Sequence, residues 1–383
     1  MVNKERIVET FLSFVHTDSH SRDERRMADL VRRYCEELGA TVEEDAAGAA
    51  VGGNAGNIIA RLHGTIPGRP FMLSAHMDTV TPGEGIKATV EDGRVRTDGT
   101  TILGGDDKTG LTVIIETMRL LQEEKIPHTG IEAVISICEE VGLLGAKEVD
   151  TSRLEARQGL IFDAESPTEL YTKGPASSSV EFVIHGLEAH AGVAPEQGIS
   201  AIVIAAQGIA KMKLGRIDSE TTANIGRIEG GGRTNIIPNH VLLRGEARSM
   251  IESKMDAQLA QMRECLEEAA SEYEVTVDGV TTRARIETRI ERSYAAMDVP
   301  ESSSVVQLVK QASRNLGFEV QVLASGGGCD ANIFNERGIE CANLGCGERA
   351  IHTVNEWADI ADMVRATELA IEVIRLNAKA VTD

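Results

Sequence analysis

The sequence predicts an α/β protein: a mixed, mostly parallel sheet with helices on both faces, interrupted by an inserted α+β domain. Three observations carry this. Through the first 175 residues, short apolar runs alternate with stretches of helical periodicity. Those runs are apolar at consecutive positions, as strands covered on both faces require. After Lys173-Gly174-Pro175 the strands change to half-exposed alternation, and past Pro300 the first character returns.

Taken in order, Ile7, Phe11, Phe14 and Val15 mark a first helix, and Glu5 and Glu9 make it amphipathic rather than the core of a signal peptide. Met27, Leu30, Val31, Tyr34 and Leu38 mark a second, stopped by Gly39. The runs NIIARL, FMLSAHMDTV, IEAVISIC and GLIFDAES read as buried strands, and an apolar helix containing Leu111, Ile114, Met118 and Leu121 opens near Asp107. In the insert, EFVIHG, TTANIGRIEGG, HVLLRGEARS and RARIETRIERSY alternate as strands, with helices around residues 198–212 and 252–274. Met255, Leu259, Met262, Leu266 and Tyr273 form one stripe of the second helix. The economical arrangement is a four-stranded antiparallel sheet with two helices on one face. A helix near 302–316, the strands FEVQVL and CANLG, and a final helix from Trp357 complete the chain. A discontinuous catalytic-type domain, residues 1–175 and 294–383, therefore encloses an insert of residues 176–293.

The formal charge of −21 argues against nucleic acid and anionic membrane surfaces as partners, because their phosphates would be repelled. No apolar run approaches the roughly 18 residues that span a bilayer. The six cysteines include no CxxC pair and read as reduced thiols of a cytoplasmic protein, packed as core.

The chemistry resides in residues where strands or turns are predicted to end: His76, Asp106, Glu139, Glu140, Asp163 and His352. They supply two imidazoles, three carboxylates suited to metal and one spare carboxylate, the inventory of a two-metal hydrolytic site. Open α/β sheets gather their sites at the carboxyl ends of strands, where most of these residues fall. His76 and Asp78 stand two apart at the end of an apolar run, so both side chains are expected on one face. Asp78 is the candidate to orient the imidazole by accepting its second N–H. Alone, the pair reads more readily as a surface turn.

Asp106 and Asp107 follow Gly104-Gly105 and precede a helix. One of the two reads as an ordinary N-cap, and Asp106 as a metal bridge. LGGDDKTG lacks the spacing of a phosphate loop, and its two aspartates would repel phosphate. Glu139-Glu140 ends a deeply apolar strand, which demands a cation or a solvent opening nearby. Adjacent residues in an extended chain face opposite ways, so one glutamate can ligate while the other approaches the water. Asp163 ends its strand similarly. His352 alone would be structural, ahead of a helix that Asn355 or Glu356 could cap.

The segments HMDT, GGDDKTG, CEEVG, FDAES, GLEAHAGVAPEQGISAI, GRIEGGGRTNIIP, GEARS, GGGCDANIF and IHTVNEW together resemble the M20 metallopeptidases, in order and over nearly the whole chain. Within that family they are most similar to the tripeptide aminopeptidase (peptidase T-like) branch. The resemblance implies a zinc-exopeptidase-like catalytic domain with a ferredoxin-like lid that dimerises. It implies one cation on His76, Asp106 and Asp163, and a second on Asp106, Glu140 and His352, with Asp106 bridging. It gives Glu139 the role of general base and Asp78 that of steadying His76. His190, Asn235 and Arg248, in the insert, correspond to substrate-binding positions, His190 often serving the partner subunit's site. Asp163 stands where many relatives carry Glu, a difference that favours the aminopeptidase side.

The expectation is a two-metal hydrolase of short peptides, a tripeptide aminopeptidase in the first instance. A dipeptidase, a carboxypeptidase and an N-acyl amino acid deacylase are the alternatives, and a non-catalytic binding protein is a further one. Two zinc ions are expected, although a mixed nitrogen and oxygen donor set suits cobalt or manganese as well. The expected partners are a short peptide and a second copy of the chain, joined through the insert.

Overall fold

The computed structural model describes residues 2–382. The chain forms two compact units, one running up to Gly174 and resuming at Met297, the other spanning Pro175–Ala296. The second junction falls three residues after the expected 293/294, because Tyr294 still belongs to an insert strand.

The first unit is built on a nine-stranded sheet. Its order is Thr41–Glu44, Ile58–His63, Gly130–Ser136, Phe71–His76, Gln158–Phe162, Glu340–Leu344, Glu169–Gly174 and Met297–Asp298, with Gln321–Ala324 also on Glu169–Gly174. The four central strands, from Gly130–Ser136 to Glu340–Leu344, run parallel, and antiparallel strands flank them. Every residue of Phe71–His76 and Gly130–Ser136 is buried, the property that made these runs mostly apolar, with Ser74, His76, Glu132 and Ser136 as the buried polar exceptions. Helix Gly105–Glu123 packs on Phe71–His76 and Gln158–Phe162, with helices Lys4–Val15 and Ile360–Thr382 behind it. Gly110 permits that approach: a β-carbon there would sit 2.2 Å from the Phe162 carbonyl oxygen. No helix among the described residues is long and apolar enough to cross a membrane.

Several local expectations are corrected. The strand FMLSAHMDTV stops at His76, so the alternation expected to place Asp78 beside it does not apply. Trp357–Asp359 is not the start of the last helix but a short strand, pairing with Glu348–Arg349 and Arg94–Arg96 in a small separate sheet. The helix begins at Ile360, where Asp359 rather than Asn355 or Glu356 accepts from its first free N–H groups, those of Ala361 and Asp362. Helix Asp330–Glu336 is additional, lying within GGGCDANIF and just after it.

In the second unit an antiparallel sheet runs Gly215–Arg216, Thr221–Gly230, His240–Ser249, Ala176–His185 and Arg285–Tyr294. It has five strands where four were expected, the extra one being a two-residue edge strand. Helices Ala201–Lys211 and Glu252–Ser271 pack together, and Phe182, Ile184, Ile204, Leu243, Met262 and Leu266 fill the space beneath them. A two-residue ribbon (Ala189–His190 with Ile236–Ile237) and the hairpin Glu274–Val277/Val280–Arg283 are further additions.

Candidate metal centre

Three parallel strands of the first unit end side by side, and each hands a ligand-type residue to the same edge. Phe71–His76 ends on His76, Gly130–Ser136 leads into Glu139 and Glu140, and Gln158–Phe162 leads into Asp163. The neighbouring strand Glu340–Leu344 leads to the turn carrying His352. Asp106 enters from the loop that opens helix Gly105–Glu123; there Asp106 (φ −77°, ψ 104°) and Asp107 (φ −121°, ψ 40°) are not helical, and the peptide between them is cis.

Asp106 lies between the two imidazoles and turns one oxygen to each. His76 Nε2 is 2.9 Å from Oδ1, and His352 Nε2 is 3.1 Å from Oδ2. Asp163 Oδ1 stands 3.9 Å from His76 Nε2 on one side, and Glu140 Oε2 stands 2.9 Å from His352 Nε2 on the other. The first ring is set by the backbone: His76 Nδ1 donates to the Asp78 carbonyl oxygen at 2.9 Å, which leaves Nε2 facing the cluster. Asp78's carboxylate is 3.4 Å from the same nitrogen. Its oxygens accept from the backbone N–H groups of Glu139 (2.9 Å) and Glu140 (3.2 Å) and from Ser21 Oγ (2.6 Å). Asp78 therefore fixes the glutamate pair more directly than it fixes the imidazole. That pair lies past the strand end, after Cys138 in the left-handed region (φ 52°), so the turn rather than strand alternation separates the two side chains. His352 itself has φ 61°. That region costs a residue with a β-carbon about 1–2 kcal/mol and persists where surroundings enforce it.

Asp107 does two jobs. Oδ1 accepts the Gly110 N–H at 3.0 Å, as the expected helix cap would, and Oδ2 accepts the His76 N–H at 3.0 Å. Both oxygens are thus occupied, which favours Asp106 over Asp107 as a ligand. Asn343 holds the Asp163 backbone from both sides.

The electrostatics test whether cations fit. Five buried carboxylates (Asp106, Asp107, Glu139, Asp330 and Glu348) and the half-buried Asp163 and Glu140 face two imidazoles. Burial, and then the other carboxylates nearby, pushes Asp107, Glu139, Asp163 and Glu348 well above the usual carboxylate range. Burial also raises Glu140. It pushes Asp330 up to about 6, and Asp330 Oδ1 has no hydrogen-bond partner among the described residues. Bonds to Asp106 and Glu140 lift His352 to about 10. Burial opposes charge on His76, yet bonds to Asp106 and Asp78 raise it well above its ordinary value. Burial likewise opposes charge on Asp106, but the bonds from His352 and His76 hold it well below the usual range. So dense a set of buried anions is stable only with compensating positive charge, and its oxygen and imidazole donors suit divalent cations. Donor atoms of His76, Asp106 and Glu140 lie within 4.8 Å of one another, as do those of Asp106, Asp163 and Glu348. Cys346 is close to Asp107 and Glu348, but burial pushes its thiol well up, so it offers no thiolate.

His190, Asn235 and Arg248 belong to the second unit. His190 is exposed, its Nδ1 accepting the Gly192 N–H at 3.2 Å, and the Asn235 carbonyl accepts the Ala191 N–H at 2.9 Å. Arg248 donates twice to Glu246, at 3.0 Å each, so its fork is already engaged.

Sequence reasoning missed Asp330, Glu348, Lys108 and the second role of Asp107, and it assigned Glu356 wrongly. Glu356 is buried and accepts from three backbone N–H groups of the Asp106 loop: Leu103 (2.7 Å), Gly104 (2.8 Å) and Asp106 (3.0 Å). Burial pushes it up to about 7. Lys108, fully buried, donates to the Thr17 carbonyl at 3.0 Å, and burial pulls it down to about 8 against the charges of Glu356 and Asp18. Only GGGCDANIF could have flagged Asp330, as a motif without an assigned role.

A model of peptidase family M20/M25/M40 matches residues 72–376. The chain is 42% identical over 380 residues to "Uncharacterized protein YqjE" of Bacillus subtilis (strain 168), covering 99% of this chain and all (100%) of that one. The crystal structure of aminopeptidase PepT from Bacillus cereus ATCC 10987 superposes with a TM-score of 0.87 at 42% identity, covering 98% of each chain. A tripeptidase from Staphylococcus aureus subsp. aureus Mu50 gives a TM-score of 0.92 at 36% identity, covering 99% of this chain and 100% of the other.

Proposed function

The chain belongs to peptidase family M20/M25/M40, and from that membership we propose that it is a two-cation exopeptidase that removes the N-terminal residue of short peptides, tripeptides above all. The observation that carries the reading is the Asp106 carboxylate held between His76 and His352, one oxygen to each ring, with Asp163 and Glu140 flanking. One cation would be held by His76, Asp106 and Asp163, the other by Asp106, Glu140 and His352. Zinc is the first candidate, with cobalt or manganese compatible with the same donors. Bound there, the pair would supply Lewis acidity to the scissile carbonyl and to a water molecule.

The residues supply the remainder. Glu139 lies in the same buried cluster, its backbone fixed by Asp78, and burial raises its proton affinity toward what a general base at neutral pH needs. It takes the proton from the attacking water and delivers it to the departing amine. Asp78 positions Glu139 and Glu140 together. His190, Asn235 and Arg248 are assigned to substrate binding by family resemblance.

The names of the Bacillus cereus and Staphylococcus aureus relatives favour an aminopeptidase that accepts tripeptides. Free, N-acetylated and C-amidated versions of one tripeptide test this. Cleavage of the free and amidated forms, with the acetylated form untouched, is the expected result. Release of acetate from the acetylated form would replace this reading with a deacylase, and release of its free C-terminal residue with a carboxypeptidase.

We also propose a homodimer formed through the insert. Among the described residues, strand Thr221–Gly230 has a strand partner on its outer side only at Thr222 and Ala223, the two-residue strand Gly215–Arg216. Helix Ala201–Lys211 exposes Ile202 and Val203, each 43% accessible. Six free, buried cysteines support a cytoplasmic setting.

A further inference from the structure

We infer that Glu356 is a positioning residue for the bridging carboxylate, and that it ties Asp106 and His352 into one unit; this rests on the two-cation reading above. Three observations converge. The first is the bonding just described: both carboxylate oxygens are spent on the backbone of residues 103–106, and one receives the N–H of Asp106 itself. Consecutive N–H groups converging on one carboxylate form an anion nest, here filled by a side chain of the protein.

The second is the way the loop is shaped to the carboxylate. Gly104 takes φ 67°, and a β-carbon on Gly105 would stand 3.1 Å from Glu356 Oε1. The two glycines of LGGDDKTG thus let the backbone close around Glu356, and Lys108, whose Nζ would lie 3.2 Å from a β-carbon on Gly104, supplies positive charge beside the nest. The third is chain position. Glu356 lies four residues beyond His352 and 250 residues from Asp106, so a single side chain connects the segments bearing two ligands of one proposed cation. Capping does not explain it, since Asp359 takes that role for the following helix.

Loosening Glu356 should therefore disturb the Asp106/Glu140/His352 side most, where two ligands lose their tie, and the His76/Asp106/Asp163 side less, where only the shared Asp106 is affected. The test is Glu356→Gln, which keeps the shape but loses the charge and half the acceptor capacity. Zinc is titrated into chelator-stripped protein against a competing chelator, with wild type alongside and circular dichroism as the check on folding. One equivalent of zinc should weaken about 10–100-fold, the usual effect of removing a residue that orients metal ligands, and the other by clearly less. In assays kcat should fall with KM for a tripeptide little changed. Glu356→Asp, which keeps the carboxylate, should recover part of the lost affinity, and it carries the test if the glutamine variant does not fold. Two equivalents bound as tightly as in wild type would overturn the assignment, and so would equal weakening of both. A wild type that binds fewer than two ions would instead defeat the two-cation reading, and this inference with it.

Discussion

At the scale of single residues, Glu139 and Asp78 separate chemistry from support. Removing the proposed base by Glu139→Ala should lower kcat about 10²–10⁴-fold while the protein still holds close to two cations by elemental analysis. Asp78 acts through the backbone it grips, accepting from Glu139, Glu140 and Ser21. Asp78→Asn turns an amide toward N–H groups that need an acceptor, and should cost about 10–100-fold in activity. To the extent that Asp78 acts through Glu139, the double variant should lose less than the two single losses combined. Fully additive losses would mean that Asp78 acts through Glu140 or His76 and not through Glu139.

His76, Asp106, Glu139, Glu140 and Asp163 were readable because they stand at or just past a strand end or next to paired glycines, whereas His352, in a turn after the short strand Glu348–Arg349, was readable only in combination with them. Glu356 was not readable as part of the site. Its partners lie about 250 residues away and are backbone N–H groups, which carry no signature in side-chain type. Glu348 and Asp330 escaped for a related reason: only the folded sheet makes them neighbours of Asp106 and Glu139.

At the scale of elements, the long strands were legible since burial on both faces leaves mostly apolar side chains, and the half-exposed strands of the insert since burial alternates. Thr89–Glu91, Glu348–Arg349 and Trp357–Asp359 were not, because two or three residues are too few to show a period. The helix after Asp107 was expected, but its closeness to the sheet was not. A methyl on Gly110 would stand 2.2 Å from the Phe162 carbonyl oxygen and 2.3 Å from Asp107 Oδ1. Gly110→Ala gains about 1 kcal/mol of helix propensity, and the clash with fixed backbone outweighs it, overpacking costing about 1–3 kcal/mol. The urea midpoint of the variant should fall, and because Asp107 also holds His76, zinc affinity should fall with it. A variant as stable as wild type would show that helix and strand can separate freely.

At the scale of the whole molecule, the exposed apolar face of Ala201–Lys211 and the mostly unpaired edge of Thr221–Gly230 present surface and backbone that a second copy could cover. Light scattering should return about twice the 41.1 kDa chain mass, and Ile202→Glu should shift it toward the monomer. A wild type that stays monomeric at micromolar concentration would rule the pairing out.

The sheet order has one more consequence. Strand Glu340–Leu344 lies between Gln158–Phe162 and Glu169–Gly174, two strands separated from each other by only a few residues of sequence. As the polypeptide leaves the ribosome, the slot between those two strands must stay open until more than 160 further residues have been translated. The turn bearing His352 arrives later still. On the proposed two-cation reading, cation capture at the His352 side is therefore a late event in biogenesis, and a nascent chain released early would have neither a closed sheet nor the proposed ligands for a complete pair of ions.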